Sequence, residues 1–249
     1  MEGKIAHAKE LIKDTVKKYK RTAVACSFGK DSMVTVHLAR EVDPHIPVFA
    51  IMTSYKPKET FDYLKEMNRQ MNLDVTVYIV SDNIPEAFQD NHLDLRLLPH
   101  DEFQRTASKI KDETGSEIYD VDPDECCRLL KVEPTIIAVK DLDAWICGLR
   151  NTEGRVREDY KEVEEKGGLI KINPILTFTE EEVLQYLQDH QIPLHPWYTT
   201  ELPDGRKYRS LGCEPCTKPI LEEQLEREGR WQNTSKCGGE CGIHTQRLK

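Results

Sequence analysis

Ile5, Ala8, Leu11, Ile12, Thr15, Val16 and Tyr19 recur at intervals of three and four, which predicts an amphipathic helix over residues 4–19. The pattern then shortens into extended apolar runs. Strands are expected at 22–27, 47–52 and 74–80, alternating with helical stretches at 31–42 and 57–71. Alternation of this kind implies right-handed crossovers and a mostly parallel sheet. The fold class is therefore α/β, Rossmann-like, with helices flanking the sheet. Ligands of such sheets sit at the carboxyl ends of the strands.

Further along, 81–123 is acidic and irregular, with one helix expected near 101–112. Gly115 and the Asp-rich run 120–124 favour a mobile flap over a solvated connection. Residues 126–140 read as a helix that Pro134 should interrupt or bend. Residues 143–148 read as a buried strand, and 172–176 as extended. Thr179 followed by Glu180, Glu181 and Glu182 is an N-cap with an acidic first turn, opening a helix to about His190. Past Pro193 the chain is rich in Pro, Gly, Trp and Tyr, with a last periodic segment at 218–228. The expected organisation is an α/β unit over 1–217 and a C-terminal helix with a mobile tail over 218–249.

Composition narrows the class. The 249 residues are 38% hydrophobic and 32% charged, as in a globular protein with one sizeable core. The net charge of -9 disfavours a nucleic-acid coating role. No apolar run approaches the ~20 residues of a membrane span, and residues 1–10 lack a signal-peptide core. A cytoplasmic protein is expected. Eight cysteines in such a chain point to metal or redox chemistry rather than structural disulfides.

The first candidate site is the turn Ser27-Phe28-Gly29-Lys30-Asp31-Ser32 between the first strand and its helix. The first amides of a helix lack backbone partners and point outward, making an anion site. Ser27 and Ser32 add hydroxyls, and Lys30 a mobile positive charge. The plain alternative is an ordinary connection with Asp31 or Ser32 as N-cap. The loop resembles the SGGxDS-type phosphate loop of the ATP-pyrophosphatase superfamily, with Phe28 where the first glycine often stands. That superfamily includes enzymes that adenylate substrates and enzymes that only hold an adenylated one.

The cysteines form two groups. Cys126-Cys127 and Cys213-Glu214-Pro215-Cys216 offer four thiolates, which suit tetrahedral zinc or an iron–sulfur cluster. Adjacent cysteines reach one centre only if the backbone splays them. Zinc usually employs two two-residue-spaced pairs, so the spacing favours a cluster. Lys131, one helical turn beyond Cys127, can face the same side. In the tail, Cys241 is preceded by Glu240 and followed by Gly242, with a His and a Lys nearby. Such a thiol is accessible, and its thiolate can accept soft electrophilic groups. Cys26 and Cys147, at strand ends, read as core residues.

Taken together these elements resemble the sulfonucleotide reductases, most closely the assimilatory adenosine 5′-phosphosulfate reductases. The matching elements are the loop, Cys126-Cys127 followed by Lys131-Val132-Glu133-Pro134, the stretch from Tyr208 to Thr217, Gly229-Arg230-Trp231, and Glu240-Cys241-Gly242-Ile243-His244. They span nearly the whole chain. The resemblance implies a [4Fe–4S] cluster on Cys126, Cys127, Cys213 and Cys216, with Cys241 as the nucleophile that forms an S-sulfonate. It implies that Lys131 links substrate and cluster by charge. It also implies that Arg227, Arg230 and His244 approach the phosphosulfate, and that Arg150 helps bind the nucleotide.

The expected reaction is reduction of adenosine 5′-phosphosulfate to sulfite and AMP. The expected reductant is thioredoxin or a glutaredoxin-like dithiol, and a homo-oligomer is suggested by the resemblance. Departures are the Lys30-Asp31 pair, the absence of Gln-Ser after Arg150, and Leu130 in place of a basic residue. Three alternatives follow: a 3′-phosphoadenosine 5′-phosphosulfate reductase; an ATP-dependent adenylating or sulfur-inserting enzyme; and a noncatalytic nucleotide-binding partner like the small subunit of heterodimeric ATP sulfurylases. Cys237, four residues before Cys241, could resolve the S-sulfonate internally, but a spectator role is favoured.

Overall fold

The computed structural model describes residues 1–88, 93–236 and 239–245, without the side chains of residues 87, 155 and 245. Cys237, considered above as an internal resolving thiol, lies outside the described residues. Strands β1 (Thr22–Ala25), β2 (Val48–Met52), β3 (Thr76–Val80), β4 (Asp94–Leu98), β5 (Ala144–Ile146), β6 (Val163–Lys166) and β7 (Leu169–Ile172) form one sheet in the order β4-β3-β2-β1-β5-β7-β6. Every neighbouring pair is parallel except the β6–β7 hairpin. The helices are α1 (Glu2–Lys18), α2 (Lys30–Val42), α3 (Lys58–Met71), α4 (Asp101–Thr114), α5 (Ile118–Val121), α6 (Pro123–Cys127), α7 (Glu133–Val139), α8 (Glu180–Asp189) and α9 (Gly242–Thr245). The α/β, mostly parallel architecture is as expected.

Successive strand side chains point to opposite faces, and the core divides accordingly. Val24, Val77, Ile79, Ile146 and Ile172 pack with the apolar stripes of α1, α2, α3 and α8. Ala23, Phe49, Trp145 and Leu169 face the other way, against Val132 and Val139. At α8 the expected cap is complete: Thr179 Oγ1 accepts from the Glu182 amide at 3.2 Å, and Glu182 Oε2 accepts from the Thr179 amide at 2.9 Å.

Several expectations are corrected. The segment 81–123 was expected as a mobile flap, but residues 94–98 pair in register with β3 and extend the sheet. Asp94 and Arg96 on this strand are the charges an exposed edge carries to resist further pairing, and they hide it from a hydrophobic-pattern reading. The hairpin partner β6 was likewise missed, being three-quarters charged, although Gly167-Gly168 at φ 66° and 81° form a tight two-residue turn. Residues 218–228 form turns rather than a helix, bridged by Lys207 to Ile220 and by Thr217 to Arg230. Leu221 and Leu225, which supplied the helical period, are exposed. Around Pro134 the helix is interrupted by a π-helical turn over Arg128–Val132. Proline has no amide to donate one turn back, and the wider turn accommodates the missing bond.

The order of strand addition reverses between β1 and β5: the chain leaves β1 towards β2, β3 and β4, then returns to β5 on the other side, parallel to β1. A crevice opens where the loops after these two strands diverge. Gly148, after β5, touches the first turn of α2. A Cβ there would lie 2.7 Å from the Asp31 carbonyl oxygen and 2.9 Å from the Ser32 nitrogen. Gly148→Ala is expected to push these two loops apart and to cost about 1–3 kcal/mol, the usual range for overpacking. Thermal unfolding, with nucleotide binding measured alongside, checks both effects.

Candidate functional site

At the crevice, β1 ends and the chain turns through Ser27 and Phe28 into α2. Phe28 takes φ 59°, a left-handed conformation in which glycine is free of strain. Its ring is buried and meets Tyr63 edge-on at 6.4 Å, so packing offsets the backbone cost. Gly29, not Asp31 or Ser32, is the N-cap of α2. Ser32 Oγ folds back to donate to the Gly29 carbonyl at 2.9 Å and stands 3.3 Å from Ser27 Oγ. The Lys30 amide donates to Tyr198 Oη at 3.3 Å.

Lys30 was expected as a mobile charge; the structure shows it fixed. It is 2% exposed, and its Nζ donates to the Arg209 carbonyl at 2.6 Å and pairs with Glu226. Arg150, in the loop after β5, reaches Asp31 through Nε at 2.5 Å and both Glu226 oxygens through Nη2 at 2.6 and 2.7 Å. Lys30, Arg150 and Phe28 thus stand behind the crevice wall. Ser27, Gly29, Asp31 and Ser32 line it.

The crevice is a cavity with ≈ 1100 Å³ of empty space, part of it open to solvent. Its walls gather Lys56, Lys131, Arg157, Arg227 and Arg230 with Trp145, Trp231, Cys241 and His244. Gly212 lets Arg230 cross the loop that bears Cys213, since a Cβ would lie 2.0 Å from its Nη2. Arg230 is held by the Cys216 carbonyl at 3.1 Å and the Leu211 carbonyl at 3.0 Å. It forms no ion pair with a carboxylate among the described residues, nor do Lys56 and Lys131. Burial, with Lys131 close by, pushes Lys56 down to about 8. Burial and then Arg157 push Arg227 down to about 10. Among the described residues, the buried side-chain nitrogens without a hydrogen-bond partner are Arg227 Nε, Trp231 Nε1 and His244 Nδ1. All belong to residues of this cavity, and orphaned buried groups mark a place made for a ligand. Cations in excess of acids make that ligand an anion.

Sequence reasoning missed Lys56 and Arg157. Lys56 lies in the loop after β2, a position where the α/β pattern puts ligand contacts. Arg157 carried no signal beyond the basic character of 150–157.

The four predicted cysteine positions come together. Cys126, Cys127, Cys213 and Cys216 line one second, smaller cavity, and all four are free thiols. Cys126 and Cys127 end α6 just before the π-helical turn, and the local backbone turns both towards that space. Cys213 and Cys216 sit on a turn closed by the Cys216 amide on the Cys213 carbonyl at 3.1 Å. No three cysteine sulfurs lie within 4.8 Å of one another among the described residues. An all-sulfur donor set around such a space fits an iron–sulfur cluster. Thr53 Oγ1 lies 3.2 Å from Cys213 Sγ. Burial raises Cys213, but Lys131, Lys56 and Thr53 outweigh it, and the net shift is downward.

Lys131 lines both cavities, as its spacing from Cys127 allowed. Burial opposes its charge, but Cys213, Cys127 and Cys241 more than compensate, leaving its pKa raised. Cys241 is half-buried on the larger cavity and packs against the cysteine cluster. The Cys127 thiol as donor, followed in order by opposing burial and the charge of Lys131, brings Cys241 down to about 5. His244 stacks on Trp145 at 6.2 Å, and Ile243 enters the apolar cluster around it.

Among known proteins, residues 21–219 match the family model of the phosphoadenosine phosphosulfate reductase domain. The chain is 32% identical over 238 residues to an adenosine 5′-phosphosulfate reductase of Halalkalibacterium halodurans, covering 94% of this chain and 90% of that one. It is 32% identical over 216 residues to the enzyme of that name from Streptomyces coelicolor, covering 86% and 78%. In structure it resembles the phosphoadenylyl-sulfate reductase of Candida auris, with TM-score 0.62 at 17% identity over 86% of this chain and 90% of that one. It also resembles the FMN adenylyltransferase of Candida glabrata, with TM-score 0.58 at 14% identity over 99% and 77%. These last two likenesses speak for the fold alone. With most of its length matched by one family model and its relatives matched nearly end to end, the chain belongs to the phosphoadenosine phosphosulfate reductase domain family.

Proposed function

We propose that this chain is an oxidoreductase that reduces adenosine 5′-phosphosulfate to sulfite and AMP, in the assimilation of sulfate. The observation that carries the reading is the position of Cys241: on the wall of the cation-lined cavity, with Lys131 shared between that cavity and the four-cysteine pocket. The nucleotide lies along the loop after β1, and its phosphosulfate is met by Arg227, Arg230, Lys131 and Lys56.

The Cys241 thiolate attacks the sulfate sulfur. A sulfur–sulfur bond forms, the bond from sulfur to the bridging phosphate oxygen breaks, and AMP leaves with the electron pair. The arginine and lysine donors neutralise the charge that develops on the departing phosphate. A dithiol of the thioredoxin or glutaredoxin kind then attacks the Cys241 sulfur and expels sulfite. Its second thiol displaces Cys241, and the reductant ends as a disulfide after giving up two electrons.

A [4Fe–4S] cluster would be held by Cys126, Cys127, Cys213 and Cys216, and with four thiolates would supply a negative neighbour that keeps Lys131 protonated. A Cys127 bound to iron has no proton to give Cys241. With that donor gone, Lys131 and the Ile243 amide are the groups of this chain that favour the Cys241 thiolate. Lys131 is the residue on which both the nucleophile and the leaving charge draw.

The ATP-splitting alternative rested on Lys30 and Asp31. Their engagement with Glu226 and Arg150 accounts for both without a second nucleotide reaction.

Anaerobically purified protein is expected to contain iron and sulfide with broad brown absorption, and Cys213→Ser to lose most of both; stoichiometric zinc in place of iron would contradict this assignment. Incubated with thioredoxin and adenosine 5′-phosphosulfate it should release sulfite, and more slowly or not at all with the 3′-phosphorylated nucleotide. Cys241→Ser should reduce sulfite to background, and retained turnover in that variant would sink the mechanism. Lys131→Gln should lower kcat by about 10²-fold, the scale of one lost charge-stabilising donor, while iron content stays near that of the parent.

A further inference from the structure

Glu240, directly before Cys241, is held more firmly than the chemistry above requires. Its carboxylate accepts from Arg157 through Nε and, at 3.0 Å, through Nη2. It also accepts from Arg227 Nη2 at 3.2 Å and from the Cys241 amide at 2.8 Å. Arg227 Nη2 donates as well to the Gly239 carbonyl at 2.8 Å. The remaining Arg157 nitrogen, Nη1, is taken by Glu153. Arg157 and the side chain of Glu240 are 6% exposed.

The cavity's cations therefore divide in two. Arg157 is saturated by two acids, one of them in a two-pronged pairing. Arg227 shares Glu240 through Nη2 but keeps Nε unpaired, and among the described residues Arg230, Lys56 and Lys131 pair with no carboxylate. An incoming anion finds its partners in the second set, because reaching Arg157 means displacing a carboxylate already bound twice.

We propose that Arg157 and Glu240 form a latch: their pairing docks the tail and sets Cys241 against Lys131, and its release frees Cys241 for the reductant. This rests on the function proposed above, and both are positioning residues rather than catalytic ones. Consecutive Cα atoms are ~3.8 Å apart, so fixing Glu240 leaves Cys241 almost no slack. On the far side Lys166 Nζ donates to the His244 carbonyl at 3.2 Å, which confines the tail from its other end. A buried ion pair suits a latch better than an apolar contact does. The attraction gained on closing is largely offset by the hydration regained on opening, so the two states stay within reach of each other.

The test uses cluster-loaded protein, kept anaerobic and treated with iodoacetamide, with labelling at Cys241 followed by site-resolved mass spectrometry. Glu240→Gln should raise the Cys241 labelling rate by about tenfold or more, as expected when one member of a buried pair is removed. Arg157→Gln should do the same, and the double variant should add little to either. Glu240→Asp, which keeps the charge, should restore most of the protection.

In single turnover, S-sulfonate formation should slow in Glu240→Gln, while dithiol release of sulfite from preformed S-sulfonate is unchanged or faster. Unchanged labelling in Glu240→Gln overturns the latch, as does a slowed release step. Glu240 lies in the tail, so its variant decides the matter even if Arg157→Gln does not fold. If the parent protein forms no S-sulfonate from either nucleotide, the functional reading fails, and the labelling comparison still decides the latch.

Discussion

Two buried cations, one buried acid and one half-buried acid hold the working parts of this molecule in one place. Lys30 and Asp31 open α2, Arg150 lies in the loop after β5, and Glu226 arrives from the C-terminal segment. Counted as ions these four sum to zero, with Glu180 a further acid 3.6 Å from Lys30 Nζ, and this pairing is what makes their burial tolerable. Each ion alone would pay several kcal/mol to leave water, and only mutual contact returns it. Loss of one partner would strand the others at a cost of about 3–5 kcal/mol. The network is therefore strongly geometric: it has low energy only when the loop after β1, the loop after β5 and the turns around Glu226 meet at one point. That meeting point fixes the back of the cavity, and it sets Arg227, the next residue along, to face the cavity's interior.

From this brace outward, the charges sort by whether they have an acid. Arg150, Arg157 and Lys30 are neutralised by Glu226, Asp31, Glu153 and Glu240 and serve as framework. Arg230, Lys56 and Lys131, with the free Nε of Arg227, carry the uncompensated charge, and they converge on the space beside Cys241. A protein of net charge -9 thus keeps a local positive pocket by withholding carboxylates from a few cations, not by accumulating basic residues. Long-range attraction for an anionic nucleotide is modest in such a molecule, because exposed charges are screened within ~8–10 Å. Recognition falls to contact inside the pocket, where screening is weak.

Much of this was legible in the sequence, for identifiable reasons. The strand, turn and helix around Ser27–Ser32 announce themselves because apolar periodicity changes there from two to three and four. The Thr179 cap is a local pattern with a local cause. The four cysteines were readable because thiols at that spacing have few other uses. What failed to show were features whose cause is distant. The edge strands β4 and β6 carry charges because an edge must not pair further, which suppresses the hydrophobic signal that strands are found by. Residues 218–228 offered a helical period in Leu221 and Leu225. Yet the chain there is committed to delivering Glu226, Arg227 and Arg230 inward from turns, and the leucines are left outside. Arg157 and Lys56 acquire their meaning from distant neighbours, Glu240 and Lys131.

Lys30 and Asp31 make the sharpest case. In the sequence they look like an extra nucleotide-handling pair, a mobile cation beside an acid at the mouth of a phosphate loop. Folded, the cation points away from the mouth and is spent on Glu226, while the acid is spent on Arg150. A loop motif specifies backbone geometry more tightly than it specifies what each side chain does. The amides at the start of α2 face the crevice whatever stands at position 30, because helix geometry alone directs them. The side chain there is free to be recruited elsewhere, and Glu226, brought in by a segment with no counterpart in the loop, recruits it. The phosphate contact proposed for the turn and the bracing by its side chains thus fall to different atoms of the same residues.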